Sequence, residues 1–349
     1  MAKFSHRFSR GVALKEKILI TGGAGLIGSH LSRELLDDGN QVIAVDDLSL
    51  GQVDNLKDLM EYKDFSFVQS SILDGQNLEE CCSSVNTIFH LAALKIPRYG
   101  GYLKTLEVNA KGTQIVLDCA RKVGARIIFA STDDVYGKNP DPLVSEESSL
   151  VLGNSQITRW SLASSKIYGE HLCFGYAEKY RVPITIIRYS GVFGSTFQLS
   201  SLSGVQDLFI VSALNQRALP IHGDGTQTRP FTFIKDAIDA TVRIWRSAST
   251  NGEIINVGTG TQISIINLAY LIWRLAGANE NIQLKFIPYT DFSHLYEDPR
   301  HRKIDVSKAQ YLLGYQPKIS LENGMQMQVE WFKDNLKKIQ KLNPSFSTS

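Results

Sequence analysis

The stretch KILITGGAGLIGSHL, residues 17–31, decides the fold of this chain. A short β-prone run leads into a glycine-rich turn, and the turn opens a helical pattern. The glycines permit the torsion angles of the turn, let a pyrophosphate approach the backbone, and let the helix pack closely. The free N–H groups at the start of the helix can bind phosphates. The predicted contacts of this dinucleotide turn are Gly22, Gly25, Leu26, Ile27 and Gly28.

The next predicted strand ends in a pair of acids. The run QVIAV at 41–45 is followed by Asp46 and Asp47, and Asp46 lies 21 residues after Gly25. A carboxylate at this place accepts hydrogen bonds from the adenosine ribose hydroxyls and repels a 2′-phosphate. NAD is therefore the predicted cofactor, in preference to NADP. The alternative reading is a solvated acidic loop.

Short apolar strands alternate with helical stretches from residue 17 to about residue 190. The predicted strands are 17–21, 41–45, 65–69, 87–93, 126–131 and 183–188, and the helical stretches include 26–38, 103–123 and 158–180. Several strands are apolar without alternation, which is typical of parallel strands covered on both faces. These βα units predict an α/β fold with a Rossmann-type, doubly wound parallel sheet.

The pattern changes after about residue 190, where a glycine- and serine-rich segment begins. Beyond it we predict helices near 235–247 and 264–276, strands at 253–257 and 282–287, and a last helix from Leu321. The expected division is an N-terminal extension at 1–16, an NAD-binding Rossmann domain at 17–190, a smaller C-terminal α/β substrate-binding lobe at 191–335, interleaved with the first, and a tail at 336–349.

Composition excludes several classes of protein. The chain has 349 residues, 43% of them hydrophobic and 21% charged, which is typical of a globular protein. A net charge of +2 offers no broad basic field, so nucleic acid is not an expected partner.

No apolar stretch approaches the roughly 18 residues that span a membrane. The N-terminus lacks the apolar core of a secretory signal, so a disordered extension or, alternatively, a transit peptide is expected. The four cysteines have no metal spacing, and we expect no metal and a cytoplasmic location.

Motifs along most of the chain belong together. They are TGGAGLIGSHL (21–31), VDDLSLGQVDNL (45–56), FHLAA (89–93), VNAKGT (108–113), GDGTQTRPFTFIKDAIDA (223–240) and HRKIDVSKAQYLLGYQP (301–317). Together they resemble the extended short-chain dehydrogenase/reductases, specifically the NAD-dependent nucleotide-sugar epimerase/dehydratase family. The likeness covers about residues 17–333, and overall it is similar to the UDP-sugar epimerases and decarboxylases.

The resemblance implies further ligand contacts. Besides the glycine turn and the acids Asp46 and Asp47, the implied cofactor-binding residues are Ser71, Ile72, Leu91, Ala92, Ala93, Asn109 and Lys166. Arg229 and Arg302 would hold the substrate's diphosphate, because a guanidinium fork matches phosphate geometry. The alternative for either arginine is a surface salt bridge. Asp236 is expected to cap the helix that follows it.

The segment RWSLASSK, residues 159–166, resembles a decarboxylase-type RWSYxxSK motif with Leu162 in place of the tyrosine. In the family, the tyrosine takes the proton of the sugar's C4 hydroxyl, and the lysine four residues later shares its helix face. Lys166 can still bind the nicotinamide ribose, but Leu162 has no proton to exchange. Losing a general acid/base typically costs about 10²–10⁴-fold in rate. Tyr99 and Tyr102 are alternative phenols, whereas Tyr168 is expected on another face.

The segment ASTDDVYG, residues 130–137, holds the other half of the implied catalytic site. Thr132 aligns with the Ser/Thr that hydrogen-bonds the sugar's 4-hydroxyl. Asp133 and Asp134 resemble the Asp-Glu pair of nucleotide-sugar 4,6-dehydratases, and neighbouring carboxylates can divide acid and base roles. The alternative is a polar loop of solvated aspartates. The segment RYSGVFGS (188–195) departs from the family's R-x-x-N-x-Y-G-P, so the substrate pocket is expected to be atypical.

The resulting hypothesis is an NAD-dependent enzyme that oxidises C4 of a nucleotide sugar, epimerase-like, with atypical acid/base chemistry. A 4,6-dehydratase or C4 dehydrogenase that uses Asp133 and Asp134, a decarboxylase, and a catalytically silent protein that binds NAD or a nucleotide sugar are the alternatives. The resemblance also implies a homodimer through the helices 103–123 and 158–180. Burial of those helices within one chain explains their pattern equally well.

Overall fold

The computed structural model describes residues 15–95, 102–197, 204–278, 281–291, 297–301 and 303–342. Its strands are β1 (Lys17–Thr21), β2 (Gln41–Asp46), β3 (Phe65–Gln69), β4 (Thr87–His90), β5 (Arg126–Thr132), β6 (Ile184–Tyr189), β7 (Val192–Phe193), β8 (Leu219–His222), β9 (Thr228–Arg229), β10 (Thr232–Phe233), β11 (Ile254–Val257), β12 (Ile263–Ser264) and β13 (Leu284–Ile287). Its α-helices are α1 (Leu26–Asp37), α2 (Gly75–Cys81), α3 (Tyr102–Leu106), α4 (Gly112–Val123), α5 (Trp160–Tyr180), α6 (Val205–Leu214), α7 (Ile234–Arg246), α8 (Ile265–Ala276), α9 (Ser307–Leu313) and α10 (Leu321–Leu342).

Seven strands form a parallel sheet in the order β11-β6-β5-β4-β1-β2-β3. The winding reverses beside β1, because β2 and β3 lie on one side of it and β4 to β6 on the other. Ligands of such sheets bind at this reversal, outside the carboxyl ends of the strands. The predicted α/β fold with a doubly wound parallel sheet is confirmed. Strand β11, from the C-terminal part of the chain, completes one edge of the sheet.

Both faces of the sheet are covered, which explains why its strands are apolar throughout. Ile18 and Ile20 of β1 face a core that includes residues of α1 and α7. Leu19, between them, faces a second core that includes residues of α2, α4 and α5. All three side chains are fully buried. Alternation of apolar and polar residues is therefore absent here, as expected for a strand between two helical layers.

The predicted element positions hold with small shifts. Strand β4 ends at His90, three residues before the predicted end, because the chain turns away from its neighbour there. The Ala92 N–H donates to the Thr21 side-chain hydroxyl, at 3.2 Å, and not to a strand carbonyl. The predicted helix 103–123 contains a π-helical turn at Glu107–Lys111 between α3 and α4. Sequence patterns missed α2, α6 and β8, since short elements carry little periodicity.

Helices α6, α8 and α10 pack together in the C-terminal part of the chain, and they share the core of α1 and α7. The prediction that Asp236 caps α7 is wrong. Helix α7 begins two residues earlier, and the Asp236 carboxylate instead accepts hydrogen bonds from the backbone N–H groups of Lys318 and Ile319, both at 3.0 Å. Asp236 thus fixes the backbone of the segment that leads into α10. None of the helices in the described ranges is both long and apolar enough to cross a membrane.

Candidate active site

A cavity of about 850 Å³ follows the carboxyl ends of the central strands and continues into the C-terminal part of the chain. Its walls include residues that come directly after β1, β2, β4, β5 and β6, and others from β9 and α8. The volume lies within the range of small-molecule sites. The position at the reversal of the sheet is the one that doubly wound folds use for nucleotides.

The glycine turn lies at one end of this cavity. Gly22 has φ +72°, and a Cβ there would lie 2.8 Å from the Ala92 backbone nitrogen. A Cβ on Gly28 would lie 2.2 Å from the Gly22 carbonyl oxygen. Helix α1 begins after Gly25, which offers no side-chain cap. These glycines therefore let the turn and α1 lie close to neighbouring backbone, and the uncapped start of α1 leaves backbone N–H groups that can bind a dinucleotide pyrophosphate. All five predicted turn residues line the cavity, namely Gly22, Gly25, Leu26, Ile27 and Gly28.

Asp46 lines the cavity at the end of β2, and backbone groups hold its carboxylate in place. The N–H of Ala24 donates to Oδ2 at 3.0 Å, and the N–H of Leu48 donates to Oδ1 at 2.9 Å. Burial raises the pKa of Asp46, and these two bonds partly oppose that shift. Asp47 also lines the cavity, but its carboxylate accepts from the Ser49 N–H at 2.9 Å. Asp46 thus accepts from two backbone N–H groups and Asp47 from one, so Asp46 is the more firmly oriented acid of the pair.

Asp46→Asn is expected to lower the preference for NAD over NADP by about tenfold or more. The amide keeps the shape of the side chain but loses the charge that repels a 2′-phosphate, and hydrogen bonds to charged groups contribute about 1.5–3 kcal/mol. The measurement is the ratio of the two dissociation constants by fluorescence titration. Asp47→Asn is the matched control and should leave the ratio unchanged. A ratio that falls equally in both variants would contradict the assignment.

Of the two predicted cofactor contacts after β3, Ser71 and Ile72, only Ile72 lines the cavity. The serine that lines the cavity with it is Ser70. The Ser71 hydroxyl accepts a hydrogen bond from the Leu73 N–H at 3.2 Å. Ser70 was missed because the family comparison pointed to the next residue. Leu91, Ala92 and Ala93 line the cavity opposite, as expected of the loop after β4.

Asn109 lies behind the cavity wall and is not among the residues that line it. Its Oδ1 accepts from the Leu94 N–H at 2.8 Å, and its Nδ2 donates to the Leu94 carbonyl at 3.1 Å and to the Ser165 hydroxyl at 3.0 Å. Asn109 therefore joins the loop after β4 to α5. His90 lies beneath that loop, between the hydroxyls of Thr21 and Thr113, and burial lowers its pKa to about 3.

Leu162 and Lys166 line the cavity one helical turn apart on α5. The Lys166 ammonium donates to the Ala130 carbonyl oxygen at 2.6 Å and lies over the Phe129 ring, 4.8 Å from its centroid. Burial lowers the pKa of Lys166 to about 8, although Cys173 and Glu170 oppose that shift. Lys166 is thus held in place without a phenol, and its charge state changes near physiological pH.

The affinity for NAD is expected to fall several-fold between pH 7 and pH 9. Lys166 is charged below about pH 8. Binding an anionic dinucleotide favours the charged form, so affinity is fully present below that pH and is lost as the pH rises through it. Isothermal titration of NAD across this range measures the effect. Lys166→Met should give a weak, pH-independent affinity, whereas Lys104→Met, at another lysine of the cavity wall, should keep the dependence. An unchanged profile in Lys166→Met would exclude Lys166 as its origin.

The three residues at the end of β5 all line the cavity, but their surroundings differ. The Thr132 hydroxyl accepts from the Asp134 N–H at 3.2 Å. Asp133 is 4% exposed, and the Ser190 hydroxyl donates to its Oδ2 at 2.6 Å. Asp134 accepts from the Arg159 guanidinium at 3.2 Å. Two acids that are adjacent in sequence therefore have separate environments, one buried behind a hydroxyl and one paired with an arginine.

A buried ion pair that the sequence did not indicate supports this end of the sheet. Arg188 donates to both carboxylate oxygens of Glu170, at 3.0 and 2.7 Å. Glu170 also accepts from the Ser131 hydroxyl at 2.5 Å, and Arg188 donates to the Tyr136 hydroxyl at 3.0 Å. The network thus joins the end of β5 to α5. The only signal in the sequence for this ion pair is a charge at two positions that are otherwise apolar in pattern. These are Glu170, one turn after Lys166, and Arg188, near the end of β6.

The charged groups farther along the cavity include Arg229, whose Nη2 is 2.5 Å from an oxygen of Asp298. Arg159 contacts the same oxygen at 3.1 Å. Neither Arg159 nor Asp298 was predicted.

Arg302 and Tyr99 lie outside the described residues. Tyr102 and Tyr168 are about half exposed and do not line the cavity, so no phenol from either replaces the missing tyrosine.

Residues 18–258 match the sequence profile of a family described as the NAD dependent epimerase/dehydratase family. The chain belongs to that family. NAD is accordingly its cofactor, and it is an enzyme of the family, as predicted. Within the described residues, no group of three or more His, Cys, Asp or Glu side chains could hold a metal ion.

Individual family members resemble the chain over nearly its whole length. UDP-N-acetyl-alpha-D-glucosaminuronate decarboxylase of Bacillus cytotoxicus is 35% identical, over 92% of this chain and 99% of its own. The solved structure of epimerase Mth375 from Methanothermobacter thermautotrophicus has a TM-score of 0.86 and 30% identity, covering 94% and 95% of the two chains. UDP-glucuronic acid 4-epimerase from Bacillus cereus, solved with UDP-glucuronic acid and NAD, has a TM-score of 0.82 and 29% identity, covering 91% and 99%.

Proposed function

We propose that the protein oxidises C4 of a sugar linked to a nucleoside diphosphate, with NAD as the hydride acceptor. The observation that carries this proposal is that Thr132, Asp134 and Lys166 line one cavity with the dinucleotide turn. The names of the related proteins support it, since they include a decarboxylase and a 4-epimerase of UDP-linked uronic acids. UDP-sugars are therefore the first substrates to test.

Each residue has a role that its position allows. The glycine turn and Asp46 bind the adenosine half of NAD, and Lys166 binds the nicotinamide ribose. Thr132 hydrogen-bonds the C4 hydroxyl of the sugar. Arg229 binds the diphosphate, because a guanidinium can pair with phosphate oxygens. The family resemblance implies the same role for Arg302, which lies outside the described residues. When bound, NAD supplies the hydride acceptor for C4.

The proton of the C4 hydroxyl requires an acceptor, because Leu162 cannot take it. Among the residues that the structure describes, the carboxylates that line the cavity are Asp46, Asp47, Asp133, Asp134 and Asp298. The first two lie at the adenosine end, Asp133 is buried behind Ser190, and Asp298 is held between two arginines. Asp134 remains, because it pairs with one arginine and not two, its backbone N–H bonds to the Thr132 hydroxyl, and its side chain is 25% exposed. We assign it the general acid/base role, in which its carboxylate gains the proton as C4 becomes a ketone.

A C4 ketone has two possible fates. Return of the hydride to the opposite face of C4 gives the C4 epimer. In a uronic acid, the C4 ketone is β to the C6 carboxylate, from which carbon dioxide is lost readily. An epimerase-like reaction is our leading proposal. Decarboxylation is the second candidate, favoured by the RWSL segment and by the 35% identical decarboxylase.

A homodimer is part of the proposal. Helices α3 and α5 pack on each other and expose large apolar side chains. These are Tyr102 and Leu103 of α3 and Tyr168, Phe174 and Tyr180 of α5. Exposed apolar side chains on two packed helices suit a partner helix pair. Light scattering of the purified protein gives the molar mass that tests this.

The experiment that tests the function is a panel of UDP-, dTDP-, GDP- and CDP-sugars, including UDP-glucuronic acid, incubated with the protein and NAD. Reduced-nicotinamide absorbance and NMR of the sugar are read from the same samples. The expected result is a C4-altered or decarboxylated sugar from at least one of them. Asp134→Asn is expected to slow its formation by about 10²–10⁴-fold, and Asp47→Asn is the control. Proven binding of both ligands without turnover would contradict the proposal and favour a binding protein.

A further inference from the structure

Two arginines of the cavity share one carboxylate. The same oxygen of Asp298 lies 2.5 Å from Nη2 of Arg229 and 3.1 Å from Nη1 of Arg159. Nη2 of Arg159 reaches Asp134 at 3.2 Å. All four side chains line the cavity. They form an alternating series, Asp134–Arg159–Asp298–Arg229, that runs from the proposed reacting end toward the proposed diphosphate end and carries no net formal charge.

The series is at odds with a simple diphosphate role for Arg229. Its Nη1 donates to the carbonyl oxygens of Thr228 and Pro299, at 2.6 and 2.8 Å, and its Nη2 pairs with Asp298. The side chain of Asp298 is only 10% exposed. An anionic ligand of Arg229 therefore meets a site that already contains an anion. Binding requires that Asp298 give up its place on this guanidinium.

Arg159 provides an alternative partner for Asp298. Its Nη1 lies 3.1 Å from the oxygen that Arg229 contacts, so Asp298 would keep a cationic partner on leaving Arg229. The Tyr289 hydroxyl also lies 3.4 Å from the other oxygen of Asp298. The Nε of Arg159 is buried and has no hydrogen-bond partner in the described part of the chain. A buried charge left unpaired is costly. Because Arg159 keeps Asp298 paired, it lowers the free-energy cost of replacing Asp298 by another anion at Arg229.

We infer that Asp298 occupies Arg229 as a resident anion, and that the diphosphate of the nucleotide sugar displaces it from Arg229 while Arg159 keeps the carboxylate paired. This inference rests on the proposed function. A diphosphate has more charge and more acceptor oxygens than a carboxylate, which favours the exchange at a guanidinium. Asp298 then sets the affinity for the nucleotide, and Arg159 determines how strongly Asp298 competes.

Exchange predicts opposite effects of two substitutions. Asp298→Asn removes the competing charge, so the protein should bind UDP about tenfold more tightly, a typical effect for directly coupled residues. Arg159→Met leaves Asp298 to Arg229 alone, so UDP should bind about tenfold more weakly. In the double variant the loss from Arg159→Met should disappear, since no carboxylate remains to compete. A purely structural role of Asp298 predicts weaker binding instead, because the segment around it would loosen.

The measurement is isothermal titration of UDP into the full-length protein saturated with NAD, for the wild type, both single variants and the double variant. Glu297→Gln is the matched control. Glu297 neighbours Asp298 but bonds to Lys138 at 3.3 Å and to the Trp160 ring N–H at 3.1 Å. It should leave the affinity unchanged. Asp298→Glu keeps the negative charge, so it should not show the tighter UDP binding expected of Asp298→Asn. It serves as a second variant should the asparagine variant not fold.

The outcomes separate the two hypotheses. Tighter binding by Asp298→Asn together with rescue in the double variant supports the exchange. Unchanged or weaker binding by Asp298→Asn, or an Arg159→Met loss that persists in the double variant, overturns it while leaving the proposed function intact. If the wild type binds none of UDP, dTDP, GDP and CDP, the proposed function fails and the inference fails with it.

Discussion

Leu162→Tyr is expected to raise the rate of NAD reduction by a bound nucleotide sugar by about 100-fold or more. Leu162 lines the cavity one turn before Lys166, so a phenol there would share the helix face of the lysine ammonium. A positioned general acid/base typically contributes about 10²–10⁴-fold. The measurement is a single-turnover record of reduced-nicotinamide absorbance with the best substrate of the panel.

The matched control for this gain is Leu162→Phe, which adds the ring without the hydroxyl. Equal rates in the tyrosine and phenylalanine variants would assign the gain to packing and not to proton transfer. A further comparison tests Asp134. Asp134→Asn should cost about 10²–10⁴-fold in the natural sequence and much less beside Tyr at 162, because the phenol would then take the proton. An equal loss in both backgrounds would exclude Asp134 as the substitute for the phenol.

Gly28→Ala is expected to weaken NAD binding by about tenfold to 100-fold and to lower the melting temperature. The new Cβ would lie 2.2 Å from the Gly22 carbonyl oxygen and 2.7 Å from the Gly23 Cα. Both are backbone atoms of the turn that we propose binds the pyrophosphate, so either the turn or α1 has to move. Overpacking of this kind costs about 1–3 kcal/mol, and 1.4 kcal/mol corresponds to tenfold in affinity.

Titration of NAD and thermal unfolding measure the two effects together. Gly175→Ala is the matched control, because it makes the same change in α5, at a position where a Cβ meets nothing within 4 Å. Alanine favours a helix over glycine by about 1 kcal/mol, so this variant should be slightly more stable and bind NAD normally. Normal NAD binding by Gly28→Ala would show that the close approach of α1 to the turn is not required.

The fold could be predicted from the sequence because its signals are local. The spacing of Gly22, Gly25 and Gly28 reflects torsion and contact requirements within one turn. Uniformly apolar strands such as β1 indicate burial on both faces without any knowledge of the neighbours. The terminal position of Asp46 follows from the same unit. Such features are encoded within about 30 residues, and the structure reproduces them with boundary shifts of a few residues.

The candidate site could be predicted only as a set of residues. Thr132, Asp133, Asp134 and Lys166 do line one cavity, but their environments come from distant parts of the chain. Asp133 meets Ser190, and Asp134 meets Arg159, so two neighbouring aspartates acquire different surroundings. No local pattern distinguishes them.

The sequence by itself thus determined the nucleotide fold and its cofactor, since each depends on a short motif, and the replacement of the family's tyrosine by Leu162 stays a prediction. Only the tertiary structure decided that Asp236 holds Lys318 and Ile319 instead of capping α7. It likewise brought Arg159 and Arg229 onto one carboxylate of Asp298. The physical reason is that hydrogen bonds and ion pairs depend on distances of about 3 Å between side chains. Those distances arise from the packing of whole elements, which residue spacing does not encode.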